Sequence, residues 1–166
     1  MNIVLIGMRG SGKTTVGKLL SKKLNKTFYD LDRLLAEKES QPIAEIVKTH
    51  GWEYFRDKES EIAEEISQKT NAVIATGGGL ILRQKNIDAL AAHGKFIFLK
   101  ASIPSIFRRI SKDKNRPSLT EKKSFTEELE DVWNNRKEIY KQTADIIIET
   151  DNKAIKQIVD EIIKQL

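Results

Sequence analysis

The sequence predicts an α/β fold: a parallel β-sheet with helices on both faces, formed by one domain. Three observations predict it. Short apolar segments alternate along the chain with amphipathic helical stretches, as is typical of parallel α/β sheets. The first apolar segment runs directly into a glycine-rich loop that a helix-forming stretch follows. The length of 166 residues suits one domain with a sizeable core.

The strand candidates are short runs that are mostly β-branched or aromatic, as expected of buried strands. They cover residues 2–6, 27–29, 72–75, 95–99 and 145–149. Helix candidates lie between them, wherever apolar residues recur at helical spacing. They cover residues 15–24, the stretch through Leu34 and Leu35, the stripe from Trp52 to Ile66, residues 103–110, a segment from about Ser124, and a C-terminal stripe from Ile155 to Leu166.

The loop after the first strand reads G-M-R-G-S-G-K-T over residues 7–14 and matches the phosphate-binding pattern G-x-x-x-x-G-K-[ST]. Its glycines let successive N–H groups point at phosphate oxygens. A lysine at the end of the pattern places positive charge near the β- and γ-phosphates, and the next hydroxyl can ligate Mg²⁺. The predicted nucleotide-binding residues here are Gly10, Ser11, Gly12, Lys13, Thr14 and Thr15.

Composition narrows the class of protein. The chain has no cysteine, which excludes disulfides and thiolate metal sites and is compatible with a reducing cytosol. No signal peptide and no apolar stretch of membrane-spanning length are visible, so we expect a cytoplasmic protein without a membrane partner. The positive charges that give the net charge of +5 are scattered along the chain, so we expect no nucleic-acid partner. We also expect a monomer.

The nucleotide could serve a switch GTPase or a kinase. A switch GTPase would need a D-x-x-G motif and a guanine-reading N-K-x-D motif, and the sequence has neither. The sequence therefore favours a small-molecule kinase, which needs a second pocket for the acceptor.

Two carboxylates, Asp30 and Asp32, follow the second predicted strand. Ligands of open α/β sheets bind beyond the carboxyl ends of the strands, so one carboxylate could hold Mg²⁺ through water. The other could accept the proton of an attacking hydroxyl. The alternative is structural: a helix N-cap followed by an acidic residue in the first turn.

Gly77, Gly78 and Gly79 follow the third strand. Three glycines at a strand end suggest that the backbone approaches a ligand closely, although a flexible turn would have the same composition.

Two arginines lie on or beside apolar helical stripes. Arg136 shares a face with Leu129, Val132 and Tyr140, and Arg56 borders the stripe of Trp52, Phe55, Glu59, Ile62 and Ile66. Salt bridges to neighbouring acids would explain both, and Glu59 is suitably spaced to hold Arg56. The functional interpretation is a pair of guanidinium forks that bind an anionic acceptor, most simply a carboxylate.

Residues 111–123 are highly polar and almost without apolar anchors. They could form a solvated linker, or the mobile lid that a kinase closes over its nucleotide to exclude water. Arg116 in this stretch could then stabilise the charge of the transferring phosphoryl group.

Together these motifs make the chain resemble the shikimate kinase family over essentially its whole length. Besides the phosphate loop, the matches are Asp30-Leu31-Asp32, Phe55-Arg56 with Glu59, the triple glycine, Arg116-Pro117, and Arg136 with Tyr140. The resemblance implies a three-layer P-loop kinase fold with a five-stranded parallel sheet in the order 2-3-1-4-5. It also implies an acceptor-binding region at about residues 30–60 and a mobile lid at about residues 111–123.

The resemblance further implies the reaction and the residue roles. The γ-phosphoryl group of ATP would pass to the 3-hydroxyl of shikimate in aromatic amino-acid biosynthesis, with Mg²⁺ as cofactor. Lys13, Asp32 and Arg116 would be catalytic, Thr14 and Asp30 would serve the metal, and Arg109 would stack on adenine. The implied shikimate-binding residues are Asp32, Arg56, Gly77, Gly78, Gly79 and Arg136.

Some positions depart from the family pattern, notably Trp52, which stands where the family usually has glutamate.

Two other functions stay open. A kinase of another small hydroxy acid, such as gluconate, would also need arginines for a carboxylate. A non-catalytic nucleotide-binding protein could keep the fold, although the full set of catalytic candidates argues against it.

Overall fold

A computed structural model describes residues 1–110 and 124–166. These residues form five strands and seven helices, with a short 3₁₀ turn at Leu80–Leu82. In chain order they are β1 (Asn2–Ile6), α1 (Lys13–Leu24), β2 (Thr27–Asp30), α2 (Leu31–Lys38), α3 (Ile43–Ser67), β3 (Ala72–Ala75), α4 (Gln84–Ala91), β4 (Gly94–Lys100), α5 (Ile103–Ile110), α6 (Phe125–Thr143), β5 (Ile146–Glu149) and α7 (Ile155–Gln165).

The five strands form one parallel sheet in the order β2-β3-β1-β4-β5, which confirms the predicted order. The central strand β1 pairs with β3 on one side and β4 on the other, so that Val4 lies between Ile74 and Phe96. All carboxyl ends therefore meet at one edge of the sheet, and the loops that leave this edge can share a ligand.

Every residue of β1 is buried, and alternate side chains serve two separate cores. Ile3 and Leu5 belong to the core beneath α1 and α7, whereas Val4 and Ile6 belong to the core that reaches α3 and α6. A strand that is apolar on both faces needs helices on both sides, which explains the three-layer arrangement.

Strand ends differ from the predicted bounds by about one residue. Asp30 extends β2 because its backbone pairs with Ala75, and Gly94 and Lys100 extend β4 in the same way. Backbone pairing continues beyond the apolar run, so hydrophobicity alone underestimates these strands. Asp145 is instead excluded from β5, and its carboxylate accepts a hydrogen bond from the Phe96 N–H at 2.7 Å.

The break in α3 was not predicted. Gly51 has φ 83° and ψ 171°, values that only glycine adopts readily, so α3 is two helical pieces joined at this residue. The second piece carries Phe55, Arg56 and Glu59. Within residues 1–110 and 124–166, no helix has the length and apolarity needed to cross a membrane.

Candidate active site

The phosphate loop connects β1 to α1 at the carboxyl edge of the sheet. Gly12 has a φ of 100° and immediately precedes α1. A side chain on Gly7 would lie 2.6 Å from the Leu99 carbonyl oxygen, so this position has no room for one. The loop therefore has the tight backbone that the sequence pattern requires, with the N-terminus of α1 pointing into it.

The side-chain nitrogen of Lys13 lies inside the loop. The side chain is buried, and its Nζ donates hydrogen bonds to the carbonyl oxygens of Gly7 at 2.8 Å and Met8 at 2.9 Å. An ammonium held in this position places a point charge where an anion bound by the loop would lie.

Thr14 and Asp30 come together across the sheet edge. The Thr14 hydroxyl donates a hydrogen bond to Asp30 Oδ2 at 2.7 Å, and the other carboxylate oxygen accepts from the Arg33 N–H at 3.3 Å. Asp30 is thus the N-cap of α2 as well as a metal candidate, and the two interpretations of the sequence coexist. Its carboxylate and the hydroxyl are hard oxygen donors of the kind that Mg²⁺ binds.

No group of three or more metal-ligating side chains occurs among the described residues. The two oxygens of Thr14 and Asp30 still fit Mg²⁺, because this ion usually keeps several waters and takes further ligands from substrate phosphates.

A buried ion pair lies on the other side of this edge. Arg56 Nη1 donates to Glu59 Oε2 at 2.6 Å, which confirms the predicted pairing. The Arg56 guanidinium also lies 5.4 Å from the Trp52 ring and 5.1 Å from the Phe55 ring. Its position is therefore fixed by one carboxylate and two aromatic faces.

Glu59 is only 2% exposed, and burial raises the pKa of its carboxyl above the ordinary value, an effect that Arg56 partly opposes. Its second oxygen, Oε1, is buried and accepts no hydrogen bond from the described residues. A buried acceptor left without a donor is costly, so this atom is well suited to bind a hydroxyl or a water that enters the site.

The triple glycine lies against these charged groups. A methyl group on Gly77 would lie 2.6 Å from Glu59 Oε1 and 2.7 Å from Asp32 Oδ1, and one on Gly79 would lie 2.2 Å from the Arg56 guanidinium. Close approach to functional side chains, rather than flexibility, thus explains the glycines at these two positions.

Arg136 reaches the same loop from α6. Its Nη1 donates to the Gly78 carbonyl oxygen at 3.1 Å, and no salt bridge is found for it among residues 1–110 and 124–166. Arg136 therefore lines the same cavity as Arg56, and its binding of an anionic acceptor stays a prediction.

Two cavities meet at this edge of the sheet. One, of about 500 Å³, is lined by the phosphate loop, Arg109 and Lys153. The other, of about 450 Å³, is lined by Arg56, Glu59, the triple glycine and Arg136. The residues common to both are Arg9, Thr14, Asp30, Asp32 and Gly78. The arrangement can hold a phosphate-bearing ligand and an anionic ligand side by side, with Asp32 between them.

Arg109 lies on the nucleotide side, where it connects two loops. Its guanidinium donates to the carbonyl oxygens of Gly10 at 3.3 Å, Ser11 at 3.4 Å and Thr150 at 3.3 Å. The described contacts therefore place it between the phosphate loop and the loop after β5.

Arg9 is a site residue that sequence reasoning missed. It lines both cavities, and its guanidinium lies 5.3 Å from the centre of the Phe125 ring. It occupies a variable position of the phosphate-loop pattern, so the pattern gives no reason to select it. Arg116 and the predicted lid lie outside the described residues.

Comparison with known proteins agrees with the family resemblance that the sequence motifs indicated. A family model described as shikimate kinase matches residues 9–166. A shikimate kinase of Legionella pneumophila (strain Corby) is 39% identical over 165 residues, covering 99% of this chain and 94% of that protein. One from Chromobacterium violaceum is 38% identical, covering 99% of this chain and 89% of that protein.

Solved structures agree with the sequence relatives. The shikimate kinase from Acinetobacter baumannii in complex with shikimate superposes with a TM-score of 0.94 at 32% identity, over 99% of this chain and 91% of that chain. The shikimate kinase from Aquifex aeolicus has a TM-score of 0.84 at 35% identity, over 99% and 95%. A gluconokinase from Sinorhizobium meliloti, at 17% identity and a TM-score of 0.56 over 96% and 87%, shares the fold alone.

Proposed function

The chain belongs to the shikimate kinase family, and from this premise we propose how its residues carry out the reaction. The enzyme transfers the γ-phosphoryl group of ATP to the 3-hydroxyl of shikimate, giving shikimate 3-phosphate and ADP for aromatic amino-acid biosynthesis. The observation that carries the residue assignment is the junction of the two cavities at Asp32, with phosphate-binding groups on one side and paired arginines on the other.

ATP occupies the cavity of the phosphate loop. Backbone N–H groups of Gly10–Thr15 bind its phosphates, and Lys13 offsets the charge that develops during transfer. Thr14 and Asp30 would hold Mg²⁺, which when bound neutralises phosphate charge and orients the γ-phosphoryl group. Arg109 stacks on the adenine while it braces Gly10 and Ser11.

Shikimate occupies the neighbouring cavity. Arg56 and Arg136 bind its carboxylate, and Asp32 and the loop of Gly77, Gly78 and Gly79 hold its hydroxyls. Asp32 lies at the junction, so it orients the attacking hydroxyl and can accept its proton. Catalysis then rests mainly on the positioning of the two substrates and on charge stabilisation.

Further assignments are proposed from the sequence. Arg116 completes the charge stabilisation from a lid at residues 111–123, with residues 1–166 forming one domain and residues 30–60 its acceptor-binding part. The enzyme works in the cytoplasm, where ATP is available. It works as a monomer. Cell fractionation and light scattering test these last two assignments.

A coupled ADP-release assay tests the function. We expect ADP formation that depends on both ATP and shikimate and that Lys13→Ala abolishes. The matched control is Lys18→Ala, an exposed lysine on the same helix, which should retain wild-type turnover. No shikimate-dependent ADP at millimolar shikimate would overturn the assignment, and turnover of gluconate in its place would support the related hydroxy-acid kinase. Tight ATP binding with no turnover of any acceptor would support a non-catalytic protein.

A further inference from the structure

We propose that Tyr140 is a positioning residue for acceptor binding: it holds the Gly78 carbonyl and thereby sets the loop that faces shikimate. The inference rests on the proposed function, since it concerns the same acceptor cavity. Tyr140 does not line that cavity, so its effect must pass through the residues that do.

Two donors from α6 converge on one carbonyl oxygen. The Tyr140 hydroxyl donates to the Gly78 oxygen at 2.5 Å, and Arg136 Nη1 donates to the same oxygen at 3.1 Å. Tyr140 follows Arg136 by four residues, so both side chains leave the same face of the helix. A carbonyl has two lone pairs, and these two donors can satisfy both.

The position of the hydroxyl is fixed by packing. Tyr140 is fully buried, and its ring stacks on Phe98 of β4 with centroids 5.0 Å apart and planes 14° from parallel. Burial raises the pKa of the Tyr140 phenol to about 12, so the hydroxyl stays a donor throughout the physiological range. The side chain therefore ties the Gly78 carbonyl to β4.

A fixed Gly78 carbonyl also fixes the orientation of the next peptide group. The peptide unit is planar and trans, so the direction of the Gly78 C=O also sets that of the Gly79 N–H. The Gly79 backbone in turn lies against the Arg56 guanidinium, which a methyl group at Gly79 would approach to 2.2 Å. Since glycines have no side chains with which to anchor themselves, this loop depends on donors from outside.

The contacts thus form a continuous chain from Tyr140 through Gly78 and Gly79 to Arg56. Among residues 1–110 and 124–166, loss of the hydroxyl would leave Arg136 as the remaining side-chain donor to the Gly78 carbonyl. That guanidinium, which already donates to this carbonyl in the wild-type protein, would then bind the shikimate carboxylate with one donor fewer on the loop.

Tyr140→Phe tests the inference, because it keeps the ring and the stack on Phe98 and removes only the hydroxyl. We expect the KM for shikimate to rise by about threefold to tenfold, as one lost hydrogen bond would allow. The KM for ATP should stay within about twofold of wild type. Gly78 lines both cavities, but Gly79 and Arg56, the groups that its carbonyl positions, line only the acceptor cavity.

Tyr54→Phe is the matched control. It removes a tyrosine hydroxyl that donates to Glu39 at 2.8 Å, away from both cavities, and should change neither KM. Thermal unfolding of all three proteins accompanies the kinetics. An equal rise of both KM values together with a lower Tm would show a merely structural role and overturn the inference.

The two proposals fail differently. A wild-type enzyme without shikimate-dependent ADP release would overturn the proposed function and this inference with it. Normal wild-type kinetics together with an unchanged KM for shikimate in Tyr140→Phe would overturn the inference alone.

Discussion

At the residue scale, the acceptor cavity is organised around the buried pair of Arg56 and Glu59. A buried carboxylate is costly to ionise, yet an ionised Glu59 is what orients the guanidinium. The resemblance identified both residues, but it could not show that Glu59 Oε1 would have no hydrogen-bond donor among the residues that the structure describes. That property depends on how the surrounding segments pack, which the sequence pattern does not specify.

The raised pKa of Glu59 predicts an acid limb in acceptor binding. As the pH falls through this pKa, which lies above the ordinary 4.5, Glu59 gains a proton and loses its ion pair with Arg56. The KM for shikimate should therefore rise as the pH falls, starting above pH 4.5. For folding the sign is opposite: Glu59 contributes stability below its ordinary pKa, and this is lost as the pH rises through the raised value.

Steady-state kinetics at a series of pH values check this prediction. Glu59→Gln should have a higher KM for shikimate. Its pH profile should lack the rise in KM at low pH that the protonation of Glu59 causes. Glu61→Gln, which removes an exposed carboxylate paired with Lys58, should keep the wild-type profile. An identical acid limb in wild type and Glu59→Gln would contradict the role of this carboxyl.

At the element scale, the sequence predicted the strands well because β1, β3 and β4 are apolar runs in a buried sheet. It predicted α3 poorly, because the apolar stripe from Trp52 to Ile66 covers only its second piece. A single glycine within a helical pattern does not reveal whether the helix continues, bends or ends. In the structure, Gly51 interrupts the helix with a non-helical backbone conformation, and the second piece carries Phe55, Arg56 and Glu59, which line the cavity.

Gly51→Ala should therefore disturb both stability and the site. No atom lies within 4 Å of a methyl group at Gly51, so the cost is that of the backbone conformation, about 1–3 kcal/mol. We expect a loss of this size in the free energy of unfolding by denaturant. A higher KM for shikimate should accompany it, because Arg56 follows the break by five residues.

Lys48→Ala, at an exposed position before the break, is the control and should change neither quantity. Unaltered stability and kinetics in Gly51→Ala would mean that an alanine adopts the Gly51 conformation without strain.

At the scale of the whole molecule, the two cavities share Arg9, Thr14, Asp30, Asp32 and Gly78, and beyond these residues they draw mainly on different elements. The nucleotide side uses the loop after β1, α5 and the segment after β5, whereas the acceptor side uses α2, α3, the loop after β3 and α6. The order of the strands explains why they meet, since β1 lies between β3 and β4. Periodicity alone predicted the layers, but the strand order came from the family resemblance, because hydrophobicity does not encode which strands are neighbours.

This separation predicts that Arg136→Ala affects one substrate. Loss of a charge-assisted contact should raise the KM for shikimate by about tenfold to a hundredfold, with ATP affinity nearly unchanged. Steady-state kinetics and ATP titration measure the two quantities. Lys141→Ala removes an exposed positive charge from the same helix and should leave both near wild type. An equal loss of ATP affinity in Arg136→Ala would contradict the assignment of Arg136 to the acceptor side.

The triple glycine has a consequence for how this sequence can evolve. The groups that would meet a new methyl at Gly77 and Gly79 are the ends of Asp32, Glu59 and Arg56, and not backbone. These ends can move aside only at a cost in stability, because Arg56 and Glu59 form a buried ion pair. Each movement would also displace a group that is proposed to hold the acceptor. These two positions can therefore take a side chain only at the expense of the groups proposed to bind shikimate.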